Sequence, residues 1–171
     1  MAEEILGLER LKELLDYNPE SGAFTRRKRT AQCHQVGDRA DFIVSSGQLK
    51  GYRRVALLGK RYLAHRLAWF YVNGLWPAEQ IDHRNGDKAD NHIANLRSVT
   101  NQVNAENLRV VRRSKRSSEL LGVFFHAQSG RWRARLTVNR KGVHIGMFDT
   151  PEEAHQAYIE AKRIHHDGCT I

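Results

Sequence analysis

Apolar side chains at Ile5, Leu8, Leu11, Leu14 and Leu15 fall on one helical stripe, which predicts a helix over residues 4–17. The turn residues Asn18-Pro19-Glu20-Ser21-Gly22 end it. Ala23-Phe24-Thr25 follows, then a basic run, Arg26-Arg27-Lys28-Arg29, which reads equally as a solvated loop or as added phosphate contacts. Residues 30–50 carry little pattern. Tyr52 to Leu58 reads as a strand, Gly59-Lys60 as a turn and Arg61 to Ala64 as the return, so a hairpin is predicted. Residues 65–73 read as a helix closed by Gly74. Ile81-Asp82-His83 is a very short strand, residues 85–91 a turn-rich loop and Leu96 to Val99 the returning strand. Thr100 then caps a helix that reaches about Leu108.

The chain changes character at Arg109. Arg109, Arg112, Arg113, Lys115 and Arg116 sit among small and polar residues, which places a basic linker over 109–121. Such a run is either solvated chain or a phosphate grip, with Arg112 and Arg113 as the candidate contacts. From Gly122 the pattern is three strands, at 122–127, 131–138 and 142–148, joined by turns at Gln128-Ser129-Gly130 and Asn139-Arg140-Lys141. Thr150-Pro151-Glu152-Glu153 is a helix start, with Thr as N-cap, Pro in the first turn and Glu three after the cap. Ala154, Ala157, Tyr158, Ala161 and Ile164 are its predicted buried face, and Gly168 its stop. No internal repeat is visible. The expected organisation is an extension of helix and strand over 1–50, a core over 51–108, the linker over 109–121 and a three-stranded domain over 122–171.

Composition narrows the class of partner. The chain has 171 residues, 40% of them hydrophobic, with only three prolines, so a folded core is feasible and general disorder is not expected. Lys plus Arg number 28 against 19 Asp plus Glu, a formal charge of +9 that favours a polyanion. The two cysteines, Cys33 and Cys169, form no C-x-x-C pair, which argues against a thiolate zinc site and for free thiols. No signal peptide or membrane span is legible, so the expected site of action is the cytoplasm, with no membrane partner and no small-molecule substrate expected.

Candidate chemistry concentrates between Ile81 and Asn104. Asp82 and His83 are adjacent on the predicted strand, Asn95 lies twelve residues after His83 and Asn104 nine further on, inside the helix that Thr100 starts. A strand, loop, strand and helix of this length can gather a carboxylate, an imidazole and an amide oxygen around one small volume. Phosphodiester hydrolysis uses such groups. A neutral histidine deprotonates water near neutral pH, and a divalent ion offsets charge on the phosphate and departing oxygen. A hard cation such as Mg²⁺ takes oxygen ligands, which Asp82 and Asn104 can supply, and keeps several waters.

The runs Ala64-His65-Arg66-Leu67-Ala68-Trp69, Ile81-Asp82-His83-Arg84-Asn85-Gly86-Asp87 and Asn91 to Thr100 resemble the HNH endonucleases of phages and homing elements. The resemblance implies a ββα-metal fold with one divalent ion, Mg²⁺ first and Mn²⁺ second. It implies His83 as general base, Asp82 as metal ligand and Asn95 as the middle motif residue that braces the loop and orients the histidine. Asn104 takes the third motif position as second metal ligand. The family often has histidine there, and asparagine occurs in its homing and phage branch. His65, at a helix start beside Trp69, reads as a structural histidine, and Asp87 and His92 as loop residues.

Gly122 to Phe125, Gly130 to Leu136 and Gly142 to Ala154 resemble the DNA-binding domain of plant ethylene-response factors, whose three-stranded sheet lies in the major groove with a helix behind it. The residue pattern agrees. Arg131, Arg133 and Arg135 alternate, so they share one face of the second strand, while Trp132, Ala134 and Leu136 share the other. Arg140, Lys141 and His144 extend the basic face. Arginine is the commonest reader of guanine in the major groove. The expected fold is thus α+β, a ββα-metal core plus a three-stranded antiparallel sheet packed on one helix. The expected function is sequence-recognising, metal-dependent cleavage of double-stranded DNA, by nick or double-strand break. The alternative is a non-catalytic DNA-binding regulator on a degenerate nuclease scaffold, which has no need of the Asp82, His83, Asn95, Asn104 set. An RNA-directed activity ranks third, since no RNA-binding signature is visible.

Overall fold

The structure, a computed structural model, describes residues 6–107, 119–166 and 168–170. The chain folds as two compact units, Met1–Asn101 and Gln102–Ile171. Among the described residues there are four helices and four small antiparallel sheets. The linker arginines Arg112 and Arg113 lie outside the described residues.

In the first unit, α1 (Leu8–Leu14) buries Leu11 and Leu14 and stops earlier than the stripe predicts. Leu15 is extended, with φ −131° and ψ 147°, and starts β1 (Leu15–Asn18), which buries Leu15 and Tyr17 in alternation. Leu15 fits both a helical stripe and a two-residue period, and pairing decides for the strand. β1 forms a hairpin with β2 (Ala23–Arg26), Leu15 opposite Arg26 and Asn18 opposite Ala23. Its turn is built by the Asn18 side chain, whose Oδ1 accepts from Glu20 N at 2.9 Å and Ser21 N at 3.0 Å. The basic run is stitched to the protein: Arg26 is buried and donates to Thr30 Oγ1 at 2.8 Å, and Lys28 pairs with Glu13.

A second sheet, in the order β3-β4-β5, comprises β3 (Asp41–Ile43), β4 (Arg53–Leu57) and β5 (Lys60–Leu63). β3 falls in the stretch with no predicted element, and its pattern is inverted. The acidic Asp41 is buried, and Phe42 and Ile43 point out. The Asp41 carboxylate accepts from Phe24 N at 3.0 Å and pairs with Arg53 Nη1 at 2.7 Å and Arg39 Nε at 3.1 Å. Charge-assisted bonds of this kind contribute about 1.5–3 kcal/mol each when buried, enough to hold a carboxylate inside. The β4–β5 turn is Leu58–Gly59, with φ 51° and 74°, one residue earlier than predicted because Leu58 accepts a left-handed conformation usually left to Gly or Asn. α2 (Ala64–Asn73) ends on Gly74, whose φ is 75°. β6 (Gln80–His83) pairs with β7 (Leu96–Val99), and a 3-10 turn, Ile93–Asn95, precedes β7. One core, centred on Leu11, Leu15, Phe24, Val55, Leu67 and Leu96, joins these elements.

The second unit has α3 (Asn101–Glu106) at its boundary, then β8 (Val123–His126), β9 (Arg131–Val138) and β10 (Lys141–Phe148) in the order β10-β9-β8. The two-residue turn Asn139–Arg140 has φ 50° and 65°, and Lys141 already belongs to the strand. α4 (Pro151–His165) starts with the predicted reciprocal cap. Thr150 Oγ1 accepts from Glu153 N at 3.3 Å, and Glu153 accepts from Thr150 N at 3.4 Å. Such a cap stabilises a helix by about 1 kcal/mol. Ala154 and Tyr158 of α4 meet Val123, Ala134 and Leu136 of the sheet. Ile164, predicted to be buried, is 78% exposed, and Lys162 is buried instead, its ammonium 5.9 Å from the Tyr158 ring centre. A helix phased on Ala154 and Tyr158 brings position 162 round to the same side, and a lysine stem can cover apolar surface there.

Candidate functional site

β6 places Asp82 and His83 in the first unit at 7% and 4% exposure. Neighbouring strand residues face opposite ways, so the two side chains meet different partners. Asp82 lies across from Arg97 of β7, whose Nε and Nη2 both donate to Asp82 Oδ2, at 3.0 and 2.8 Å. That ion pair supplies the countercharge a buried carboxylate needs.

His83 faces the interior of the loop that follows it. Its Nε2 is 3.0 Å from Oδ1 of the buried Asn91. The His65 ring stands edge-on to it at 5.1 Å between centres, and Tyr52 lies 6.0 Å away. Lys88 Nζ sits 4.9 Å from the centre of the Tyr52 ring. Burial pushes the His83 imidazole below the ordinary histidine range, while the Asn91 hydrogen bond and the carboxylates of Asp82, Asp87 and Asp90 pull the other way. The net effect keeps the ring neutral near pH 7. His65 is pushed down to about 3 by burial, with His83 and Arg66 adding to the effect, and its Nδ1 has no hydrogen-bond partner among the described residues.

Asn95 ends the 3-10 turn and ties the loop together. Its Oδ1 accepts from Asn85 N at 3.0 Å, and its Nδ2 donates to Asp90 O at 2.8 Å. Its own carbonyl accepts from Arg84 N at 2.9 Å. Asp87 and His92 are loop residues, Asp87 accepting from Ala89 N at 2.9 Å and His92 Nδ1 lying 2.5 Å from Asp90 Oδ1. Asn104 lies one turn into α3, half-buried. The structure thus brings Asp82, His83 and Asn95 onto one strand-loop-strand element. Sequence reasoning gave no role to Asn91 or Arg97. Arg97 is findable from the strand register, but Asn91 sits in a run of turn formers that looks solvated.

In the second unit, β9 presents Arg131, Arg133 and Arg135 on one side while Ala134 and Leu136 are buried on the other. The register sets His126 across from Arg131, Met147 across from Arg133 and His144 across from Arg135. His126, Arg133, Arg135, Gly142, His144 and Met147 line an open depression of about 440 Å³ on this face. The Arg135 guanidinium lies against Gly142: a Cβ there falls 2.0 Å from Arg135 Nη2. Arg131 Nε donates to Asp149 Oδ1 at 2.8 Å in an exposed pair. Arg140 and Lys141 are exposed at the hairpin end.

Comparison with known proteins divides along the same line. Residues 62–106 match the HNH endonuclease family model, and residues 120–163 match that of the AP2 domain. The chain therefore carries a segment similar to HNH endonucleases followed by one similar to the AP2 domain. Over 62 residues it is 39% identical to the DNA endonuclease I-HmuI of Bacillus phage SP01, an alignment covering 33% of this chain and 36% of that protein. The chain thus spans about a third of that relative's length. No solved structure matches. Among the described residues no helix is long and apolar enough to cross a membrane.

Proposed function

We propose that this protein is a metal-dependent DNA endonuclease that cuts duplex DNA held by its AP2 sheet. The observation that carries the reading is His83: a buried imidazole kept neutral, next in sequence to a buried carboxylate, at the end of β6 where it enters a loop braced by the motif residue Asn95. A neutral imidazole accepts a proton from water as the water attacks phosphorus. With Nε2 turned to Asn91, the proton is taken at Nδ1.

The family implies one divalent ion, and the donor set suits a hard one. Asp82 offers a carboxylate and Asn104, by its place in the motif, an amide oxygen. Among the described residues no three His, Cys, Asp or Glu side chains gather as a metal cluster. When bound, Mg²⁺ or Mn²⁺ supplies charge neutralisation at the phosphate and the departing oxygen. Arg97 keeps Asp82 in place across the ladder. Arg131, Arg133, Arg135 and His144, with Arg140 and Lys141 at the hairpin end, are proposed to face DNA.

Supercoiled plasmid incubated with the protein tests the reading. Nicked or linear product is expected with Mg²⁺ and none with chelator. No product in either case, or equal product in both, overturns it and leaves a DNA-binding protein that does not cut by this route.

A further inference from the structure

We propose that Asn91 is the positioning residue for His83, and that the β1–β2 hairpin is the clamp that holds Asn91 in place. The inference rests on reading His83 as the proton acceptor, and adds to it a role for a segment outside the HNH match, which begins at residue 62.

Asn95 is occupied elsewhere. Both polar atoms of its side chain bond to loop backbone, at Asn85 and Asp90, and so it shapes the loop. The side chain on His83 Nε2 is that of Asn91, 1% exposed. The amide oxygen on Nε2 only accepts, an arrangement that puts the proton on Nε2 and the lone pair on Nδ1 and leaves Asn91 Nδ2 buried without a hydrogen-bond partner among the described residues. An amide held loosely in a loop fixes no tautomer. The stretch from Asn91 to Ile93 is held from outside the loop, at three points, by the hairpin. Tyr17 OH donates to Asn91 O at 2.7 Å. Ile93 N donates to Pro19 O at 3.0 Å. Gly22, at φ +67°, lies flat against the Asn91–His92 peptide, where a Cβ falls 2.3 Å from Asn91 C and 2.4 Å from His92 N. Only glycine allows both that conformation and that approach. Tyr17 is itself packed on Phe24, ring centres 4.9 Å apart, in the middle of the core. The line of support therefore runs from core to Tyr17 to Asn91 to the imidazole.

The experiment uses the full chain. Long-range ¹H–¹⁵N correlation on metal-free, ¹⁵N-histidine-labelled protein reads the His83 tautomer directly, and the Nε2–H form is expected. Tyr17→Phe, Gly22→Ala and Asn91→Leu are expected to mix the tautomers and lower kcat, with DNA affinity unchanged. The loss for Asn91→Leu is on the order of 10–100-fold, the usual effect of removing a group that orients a reactive histidine. Asn91→Asp, which keeps an acceptor, recovers much of the rate. An Nδ1–H tautomer in the wild-type protein overturns the proposal even if every variant misfolds. So does wild-type kcat in folded Asn91→Leu. If His83→Ala is inactive while Asn91→Leu and Tyr17→Phe cut at full rate, only this inference fails. If His83→Ala also cuts at full rate, the underlying reading fails with it.

Discussion

His65 and His83 are both held neutral by burial, and at His65 that burial sets how the fold responds to acid. His65 has its pKa lowered from the ordinary histidine value to about 3. Above about pH 6.5, folded and unfolded chains both carry a neutral ring. As pH falls from there towards 3, the unfolded chain takes up a proton and the folded chain does not. Stability therefore drops by about 1.4 kcal/mol per pH unit and levels off near the folded pKa. His65→Phe keeps a flat ring against Tyr52 and His83 but removes the proton site, so its urea midpoint is expected to fall less steeply between pH 6.5 and 4. An unchanged slope would remove His65 as the source. At this scale, sequence legibility depended on spacing. Asp82 and His83 stand out because a carboxylate and an imidazole are adjacent between apolar and turn residues, and Asn95 because it closes the same loop. Asn91 does not, since what buries it is a hairpin whose Tyr17 lies 74 positions earlier in the chain.

Elements were legible where period and punctuation agreed. α2 with Gly74, α4 with its Thr150 cap and the three strands of the second unit follow their patterns closely. β1 was hidden because Leu15 serves two periods, and β3 because it inverts the usual rule, charge inward and apolar residues outward. On β9 the structure adds a division among the arginines. Arg133 and Arg135 line the depression with His144, whereas Arg131 is held by Asp149 near the sheet's rim. An exposed pair of that kind holds its arginine by no more than about 1 kcal/mol, so phosphate can recruit it. Arg133→Ala or Arg135→Ala is therefore expected to cost about 1–3 kcal/mol on the target duplex and to relax specificity at one position. Arg131→Ala is expected to weaken all sequences alike and lower the salt slope by about one unit. Isotherms on target and scrambled duplexes at several salt concentrations separate the roles. Wild-type binding by all three variants would mean this face does not meet DNA.

For the whole molecule, charge and domain content point the same way. A formal +9 favours a polyanion, and the two family matches, HNH endonuclease and AP2 domain, follow one another along the chain. Each unit has its own core, so the proposed proton acceptor in the first can be altered separately from the proposed DNA-facing arginines in the second. What the sequence could not convey at this scale is where α3 finds its support. Glu106 accepts from Gly168 N at 3.1 Å, Gln102 donates to Asn139 at 3.1 Å, and Thr170 donates to Asn107 at 2.5 Å. None of these contacts follows from periodicity, because they join a six-residue helix and the residue after it to a strand turn and to residues 168–170. The separation of roles makes the central claim directly testable. His83→Ala removes the proposed proton acceptor in the first unit and leaves the arginine face in the second intact. Plasmid cleavage and duplex binding should be measured side by side on this variant and the wild type, both with Mg²⁺. The account predicts cleavage reduced on the order of 10²–10⁴-fold with binding unchanged. Wild-type cleavage by His83→Ala would contradict it.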